Sequence, residues 1–374
     1  MPPKQRFALR LDAATVENAV PPSYQINCDH TLFLRAFLFA NGSIYTREGG
    51  RELGTVHQED IDESGTRAVG KGASGNVYTA RLKSTGAPIA LKKIFITSRT
   101  HRDEVERELT FFSTRSENPF VMQNYGAFWH PEDNAVVIPM EWMAYSLKDL
   151  CTFWGGLEES VLRDIFWQVL NAFQYLHGVK RLIHRDVKPS NILIRDDGYV
   201  KVGDFGVSKM VQTLDISSSF VGTMVFMAPE RLDQTSYSFA SDIWSLGLTM
   251  INAATGKPPW EVKANQSGAM YELLSNIAKG TVPSLPASYS KEAHDVVARC
   301  LERDPSKRAS SEELLAMPFF NGCTEASCTN NVQAVVQHMT RLINANPMKD
   351  TLKTKEEQDA ARIAKMEKLE SLDE

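Results

Sequence analysis

The chain has 374 residues, enough for two packed units with tails, and its 43 % apolar and 9 % aromatic content is that of a globular protein. A net charge of −5 gives no basic footprint for nucleic acid, and the longest apolar run, Ile243–Ala254, is too short and too interrupted by Ser245, Gly247, Thr249 and Asn252 to insert in a membrane. The five cysteines, Cys28, Cys151, Cys300, Cys323 and Cys328, stand at irregular spacings without a C-x-x-C, which predicts reduced thiols and neither a disulfide frame nor a zinc site.

Residues 1–30 mix Pro2, Pro3, Pro21 and Pro22 with polar residues and show no periodicity, as a disordered arm does. The arm has no apolar leader and carries Asp12 and Glu17, so a cytoplasmic protein, with nuclear shuttling as an alternative, is expected. In 31–58, Thr31–Phe39 and Ser43–Thr46 read as two strands about the turn residues Asn41 and Gly42, an added hairpin. Residues 59–140 alternate short runs of Val, Ile, Tyr and Leu with glycines and hold one helical stretch, Arg102–Thr114. From 141 to 320 helical periods dominate: Leu147–Cys151, Glu158–His177, Ser241–Ala254, Met270–Lys279, Lys291–Glu302 and Ser311–Ala316. In 321–374, Val332, Val335, Val336, Met339, Leu342 and Ile343 share a helical stripe that Pro347 ends and that should dock on the larger unit. Lys349–Glu374 then alternates charges as a solvated helix or tail does.

Gly70-x-Gly72-x-x-Gly75-x-Val77 lies between two extended runs. A dinucleotide fold would open a helix at the third glycine, whereas this chain continues as a strand, and a plain glycine turn is the rival explanation. The next apolar run carries Ile89-Ala90-Leu91-Lys92, a lysine set in a β-pattern. Further on come His184-Arg185-Asp186-Val187-Lys188-Pro189-Ser190-Asn191, then Asp204-Phe205-Gly206, Ala228-Pro229-Glu230, Asp242-x-Trp244-Ser245-x-Gly247, and Arg308. In that order these motifs resemble the protein kinase superfamily over residues 66–320, with none missing.

The resemblance implies an α+β, bilobal protein-kinase fold: an N-terminal antiparallel β-sheet lobe with one main helix, and a larger, mostly helical C-terminal lobe. It also implies ATP and Mg²⁺. The glycine loop Val69, Gly70, Lys71, Gly72, Ala73, Ser74, Gly75 and Val77 would cover the nucleotide with Ala90, and Lys92 would meet its α- and β-phosphates. Glu108 would hold that lysine, with Glu104 and Glu106 as competitors on nearby turns. Register gives Met140 as gatekeeper and Glu141 and Met143 as backbone contacts of adenine, against the plainer reading of Met140, Trp142 and Met143 as core filler. Asp186 would orient the substrate hydroxyl, Lys188 would neutralise the moving phosphoryl group, Ser190 would line the nucleotide site, and Asn191 and Asp204 would ligate Mg²⁺. Arg308 would pair with Glu230, a buried contact whose loss costs on the order of 3–5 kcal/mol.

Val187–Leu193, Asp204-Phe205-Gly206-Val207-Ser208, Tyr125-Gly126-Ala127-Phe128 and Ser219–Leu232 resemble the MAP kinase kinases. That likeness implies dual specificity toward the threonine and tyrosine of a Thr-x-Tyr motif in a downstream MAP kinase, and an upstream MAP kinase kinase kinase. The loop Gly206–Ala228 would be switched by phosphates paired with Arg185. Register places one regulatory site at Ser219. The other falls on Asp215 by animal spacing and on Thr213 by plant spacing, so Thr213 and Ser219 are the expected sites, with Ser217 and Ser218 read as polar loop residues. Lys4-x-Arg6-x-x-Leu9-x-Leu11 resembles the family's docking motif for a MAP kinase, although basic residues near two leucines also arise by chance. Departures from animal members are the short Gly256–Leu274 stretch in place of a proline-rich insert, Gly203 in place of a cysteine, and a 31–56 segment unlike their inhibitory helix. Another serine/threonine kinase of the same cascade is the rival reading, and a non-catalytic scaffold a more distant one.

Overall fold

The computed structural model describes residues 32–34, 36–40, 43–46, 52–72, 75–96, 105–106, 109, 117–204, 224–232, 238–260 and 269–345. The described residues fall into two compact units. The first holds those up to Glu117 together with Met122–Trp142; the second holds Asn118–Val121, Met143–Asp204 and the described residues that follow. The sequence pattern drew this division between 140 and 141.

The first unit opens with a four-stranded antiparallel sheet, β1 (Leu32–Phe33), β2 (Phe37–Ala40), β3 (Ser43–Thr46) and β4 (Glu52–Leu53), in that order. Ala40 and Ser43 are the last pair of β2 and β3, and the expected turn residues Asn41 and Gly42 lie outside the described residues. The flanking strands β1 and β4 are two residues each, too short to leave a periodic signal. Phe37, Leu38 and Phe39 are all buried, so β2 is covered on both faces.

A six-stranded sheet follows, built from β5 (Ile61–Asp62), β6 (Ala68–Gly72), β7 (Gly75–Leu82), β8 (Pro88–Phe95), β9 (Phe128–His130) and β10 (Ala135–Glu141). Its order is β5-β7-β8-β10-β9, with β6 paired to β7. Period-two alternation gives this sheet two different faces. Ala80, Ile89, Leu91 and Val137 pack with Ile61 and Phe128 into an apolar core on one of them. The opposite face carries Val77, Lys92 and Ile138 in one cross-strand row and Thr79, Ala90 and Met140 in the next. Within the expected helix, Val105, Glu106 and Leu109 are described and helical, and Val105 and Leu109, four residues apart, are fully buried.

The second unit is mostly helical: α1 (Leu147–Trp154), α2 (Glu159–Phe173), α3 (Phe239–Thr255), α4 (Ala269–Lys279), α5 (Lys291–Cys300), α6 (Ser311–Leu315) and α7 (Glu325–Ala345). A small sheet, β11 (Tyr145–Ser146), β12 (Ile192–Ile194) and β13 (Val200–Val202), lies with them. Start and stop chemistry is local. Ser146 and Asp149 form a capping box at the start of α1, which Gly155 ends at φ 70°. Ser238 and Ser241 box the start of α3, and Gly256 ends it at φ 66°. Helix α3 is buried on nearly all sides, which is why Ile243–Ala254 is so apolar without being a membrane span. No described helix is long and apolar enough to cross a membrane.

Two helix expectations need correction. The run to His177 does not stay α-helical: α2 stops at Phe173 and continues as a π-helical turn, Gln174–Val179. The stripe of α7 buries Val332, Val336 and Met339 and half-buries Ile343, but Leu342 is exposed, because it lies on the edge of that stripe. Asn331 on α7 donates to Asp164 of α2 at 2.6 Å, and the Tyr145 and Thr340 hydroxyls are 2.9 Å apart.

Candidate active site

In the first unit the expected nucleotide residues share one sheet face and its glycine turn. Gly70, Lys71 and Gly72 lie on β6 and pair with Val77, Asn76 and Gly75 of β7, with a register shift between Ala68 and Gly70 that sets Val69 apart. Val69 is 45 % exposed, unusual for valine in a sheet. Gly75 is required by the fold, since at φ 137° an added Cβ would come 2.5 Å from the Lys93 carbonyl. Gly70 is not: its Cβ would meet only Val77, at 3.8 Å. Glycine there suits a backbone that something approaches closely, as phosphates approach a glycine loop. Lys92 is 4 % exposed, between Val77 and Ile138 on its neighbouring strands, and Ala90 lies opposite Met140.

The end of β10 is braced from outside the ladder. Glu141 donates its N–H to the Gln123 carbonyl at 3.1 Å, and its carboxylate accepts the Gln123 N–H at 2.7 Å. This ties both the amide and the carboxylate of Glu141, the residue to which register assigns a backbone contact with adenine.

In the second unit Asp186, Lys188 and Asn191 are brought together. Asp186 Oδ2 receives Lys188 Nζ at 2.8 Å and Asn191 Nδ2 at 3.0 Å, and the same Asn191 amide donates to the Asp186 carbonyl at 2.8 Å. Ser190 donates to Asn191 Oδ1 at 3.3 Å. Asn191 is held from the other side by the Gly203 N–H, which donates to its carbonyl at 3.0 Å. That bond sets Asp204, at φ 54°, one residue from the asparagine's backbone. Met143 is half-buried at the start of this unit.

The loop is fixed by a residue far away in sequence. Asp242 of α3 accepts the His184 N–H at 2.7 Å, the Arg185 N–H at 2.8 Å and His177 Nε2 at 2.9 Å. His184 in turn donates from Nε2 to the Gly203 carbonyl at 3.0 Å and accepts the Asp186 N–H at Nδ1 at 3.3 Å, which defines its tautomer. Arg185 is thereby held at φ 72°, and its carbonyl accepts Arg231 Nη1 at 2.9 Å. The sequence presented Asp242 as a landmark without a role. The signal that could have assigned one is an aspartate opening a helix otherwise buried all round, where its charge needs several donors.

Glu230 and Arg308 form a two-pronged pair at 2.7 and 3.1 Å, with Arg308 also donating to the Ala240 and Glu302 carbonyls. Burial by itself would raise the Glu230 carboxyl, but the hydrogen bond and charge of Arg308 outweigh it and hold the group below its ordinary value.

The described cysteines are free thiols, and burial pushes Cys151 and Cys300 up to about 12, leaving both protonated and unreactive at neutral pH. The spacing of the cysteines did not suggest that Cys323 and Cys328 meet Asp164, yet their ligand atoms lie within 4.8 Å of one another. Arg163, Asn331 and both thiols already donate to that carboxylate, so the cluster is a satisfied buried acid.

Glu108, Ala73, Ser74, Thr213 and Ser219 lie outside the described residues, as do Lys4, Arg6, Leu9 and Leu11. The groups that are described suit the expected ligands: oxygen donors at Asn191 and Asp204 for Mg²⁺, and for phosphates a buried ammonium at Lys92 and open backbone at Gly70.

Residues 64–320 match the protein kinase domain family. The chain is 39 % identical over 259 residues to mitogen-activated protein kinase kinase 1 of Arabidopsis thaliana, covering 68 % of this chain and 72 % of that relative. It is 36 % identical over 330 residues to mitogen-activated protein kinase kinase SIPKK of Nicotiana tabacum, covering 82 % and 91 %. It is also 32 % identical over 282 residues to mitogen-activated protein kinase kinase kinase 2 of Arabidopsis thaliana, covering 72 % of this chain and 42 % of that protein.

Proposed function

Because the chain belongs to the MAP kinase kinase family of protein kinases, we propose that it transfers the γ-phosphoryl group of ATP to both the threonine and the tyrosine of a Thr-x-Tyr motif in a MAP kinase. The observation that carries the phosphoryl-transfer part of this reading is the Asp186, Lys188 and Asn191 constellation, with Asp186 Oδ2 held by both partners, and the likeness to MAP kinase kinases supports the choice of substrate. Asp186 orients the attacking hydroxyl and accepts its proton late in the transfer. Lys188 moves from Asp186 to the transferring group as negative charge gathers there. Lys92 takes the α- and β-phosphates, with Glu108 as its partner, and Asn191 and Asp204 hold Mg²⁺, which supplies charge neutralisation of the phosphates. Met140, Glu141 and Met143 serve the adenine side.

In this reading the enzyme stands between a MAP kinase kinase kinase, which phosphorylates Thr213 and Ser219, and a MAP kinase held through Lys4, Arg6, Leu9 and Leu11. It works in the cytoplasm. The likeness to a MAP kinase kinase kinase favours one alternative, an enzyme a step higher that phosphorylates serine and threonine alone. Incubation with kinase-dead MAP kinases followed by site mapping separates the two. Phosphate on both residues of the Thr-x-Tyr motif is the expected result, and phosphate on threonine alone sinks dual specificity.

A further inference from the structure

The family match begins at residue 64, so the β1–β4 sheet and the run Gly54–Val56 lie outside it. That run nevertheless crosses the chain just before β9 with no space between the two backbones. Gly54 takes φ 101° and Gly126 φ 158°. A Cβ on Gly54 would come 2.5 Å from the Gly126 Cα, and one on Gly126 would come 2.7 Å from the Val56 carbonyl. Only glycine fits at either position, on conformation and on contact alike.

The crossing is wired to the end of β10. The Tyr125 carbonyl accepts N–H groups from Thr55 at 2.6 Å and Val56 at 3.0 Å, while the Tyr125 N–H donates to the Pro139 carbonyl at 2.8 Å. Next to it Asn124 bridges antiparallel to Met140, and Gln123 exchanges its two bonds with Glu141. Gly54–Val56 is itself fastened at both ends. β4 pairs with β3 just before it, and just after it His57 Nδ1 lies 2.8 Å from Ser43 Oγ at the start of β3. A short series of backbone bonds therefore runs from the added sheet to Pro139, Met140 and Glu141.

We propose that the β1–β4 sheet is a positioning element for the adenine-side end of β10, with Gly54 and Gly126 as positioning residues that set nucleotide affinity. This rests on the reading of Met140 as gatekeeper and Glu141 as a backbone contact of adenine. A side chain at either glycine pushes the Tyr125 peptide away from its partners, and Pro139–Glu141 follows it through bonds that have no slack. Misplacement of that edge weakens binding of ground state and transition state together, so it appears in KM.

The test is calorimetric titration of the full chain with MgADP, alongside ATP kinetics and melting temperatures, for wild type, Gly126→Ala and Ser43→Ala. Gly126→Ala is expected to weaken MgADP about three- to tenfold, and to raise KM for ATP more than it lowers kcat. Ser43→Ala, which removes one hydroxyl and leaves the glycine crossing intact, is expected to weaken MgADP about twofold, and it decides the matter if the alanine at 126 prevents folding. Variants that melt earlier but bind MgADP as wild type does would overturn the proposal while leaving the kinase reading in place. A wild-type chain that binds no MgADP would overturn the adenine reading and this proposal together.

Discussion

Lys92 and Asp186, one in each unit, are surrounded by different kinds of support. Lys92 is placed by a sheet: β7 and β10 pair with β8 on either side, and Leu91, one residue away, faces the opposite, apolar core. Asp186 is placed by a relay of polar groups in which Asp242 alone accepts from three donors and His184 passes the constraint on to Gly203. Ladder bonds and dispersion contacts are many and individually small, so a sheet absorbs the loss of one. A buried polar relay has few members, and removing one leaves its partners desolvated and unpaired. The lysine should therefore tolerate changes in its surroundings, whereas the aspartate should not.

The largest effect is expected at the end of the relay. Asp186→Ala should lower turnover by roughly 10²–10⁴-fold with MgADP affinity little changed, measured as steady-state rates beside nucleotide titration. Equal signalling by this variant and wild type in cells would instead favour the scaffold. One step back, Asp242→Ala orphans three donors and should cost on the order of 3–6 kcal/mol in urea unfolding, with kcat falling more steeply than in any core variant of similar stability. Asp242→Asn keeps one acceptor oxygen and should recover part of both. In the sheet, Leu91→Ala should cost about 2–5 kcal/mol, yet leave kcat within a few fold of wild type wherever the protein is folded. A loss of turnover in Leu91→Ala as deep as that in Asp242→Ala would erase the distinction between the units.

The same contrast explains what was legible in the sequence. Strand, glycine turn and lysine could be read because alternation at Val77–Leu82 and Ile89–Leu91 is local, and local patterns survive in one dimension. The octet from His184 to Asn191 could be read as chemistry, but its support could not: Asp242 stands 58 residues from His184, and its acceptor role is a property of the folded contact. Gly126 appeared in the sequence only as part of a family-like run, since nothing local says that residue 54 crosses it. The π-turn after Phe173 escaped for the same reason, because Gln174–Val179 continues the helical period while the bond pattern shifts beneath it. Leu342 shows the reverse error: spacing placed it on the stripe of α7, but it lies on the stripe's exposed edge while Ile343 beside it is half-buried.

The smallest expected effect tests whether a buried polar pair can behave as robustly as a sheet. Arg308 has carbonyl acceptors in Glu302 and Ala240 besides Glu230, so Glu230→Gln leaves its charge partly satisfied. The cost at neutral pH should accordingly be about 1–3 kcal/mol, less than for a buried pair with no other acceptors. The pH dependence gives the sign. The Glu230 carboxyl is held below its ordinary value of 4.5 in the folded protein, so its contribution is present above that value and is lost as pH falls through the lower folded one. Urea midpoints of wild type and Glu230→Gln should therefore differ near neutral pH and converge as pH falls below the ordinary carboxylate value and wild type loses its carboxylate. A gap that stays constant over that range would mean that the pair contributes through packing of Arg308 against Trp244, 5.0 Å away, and that the charge on Glu230 adds nothing.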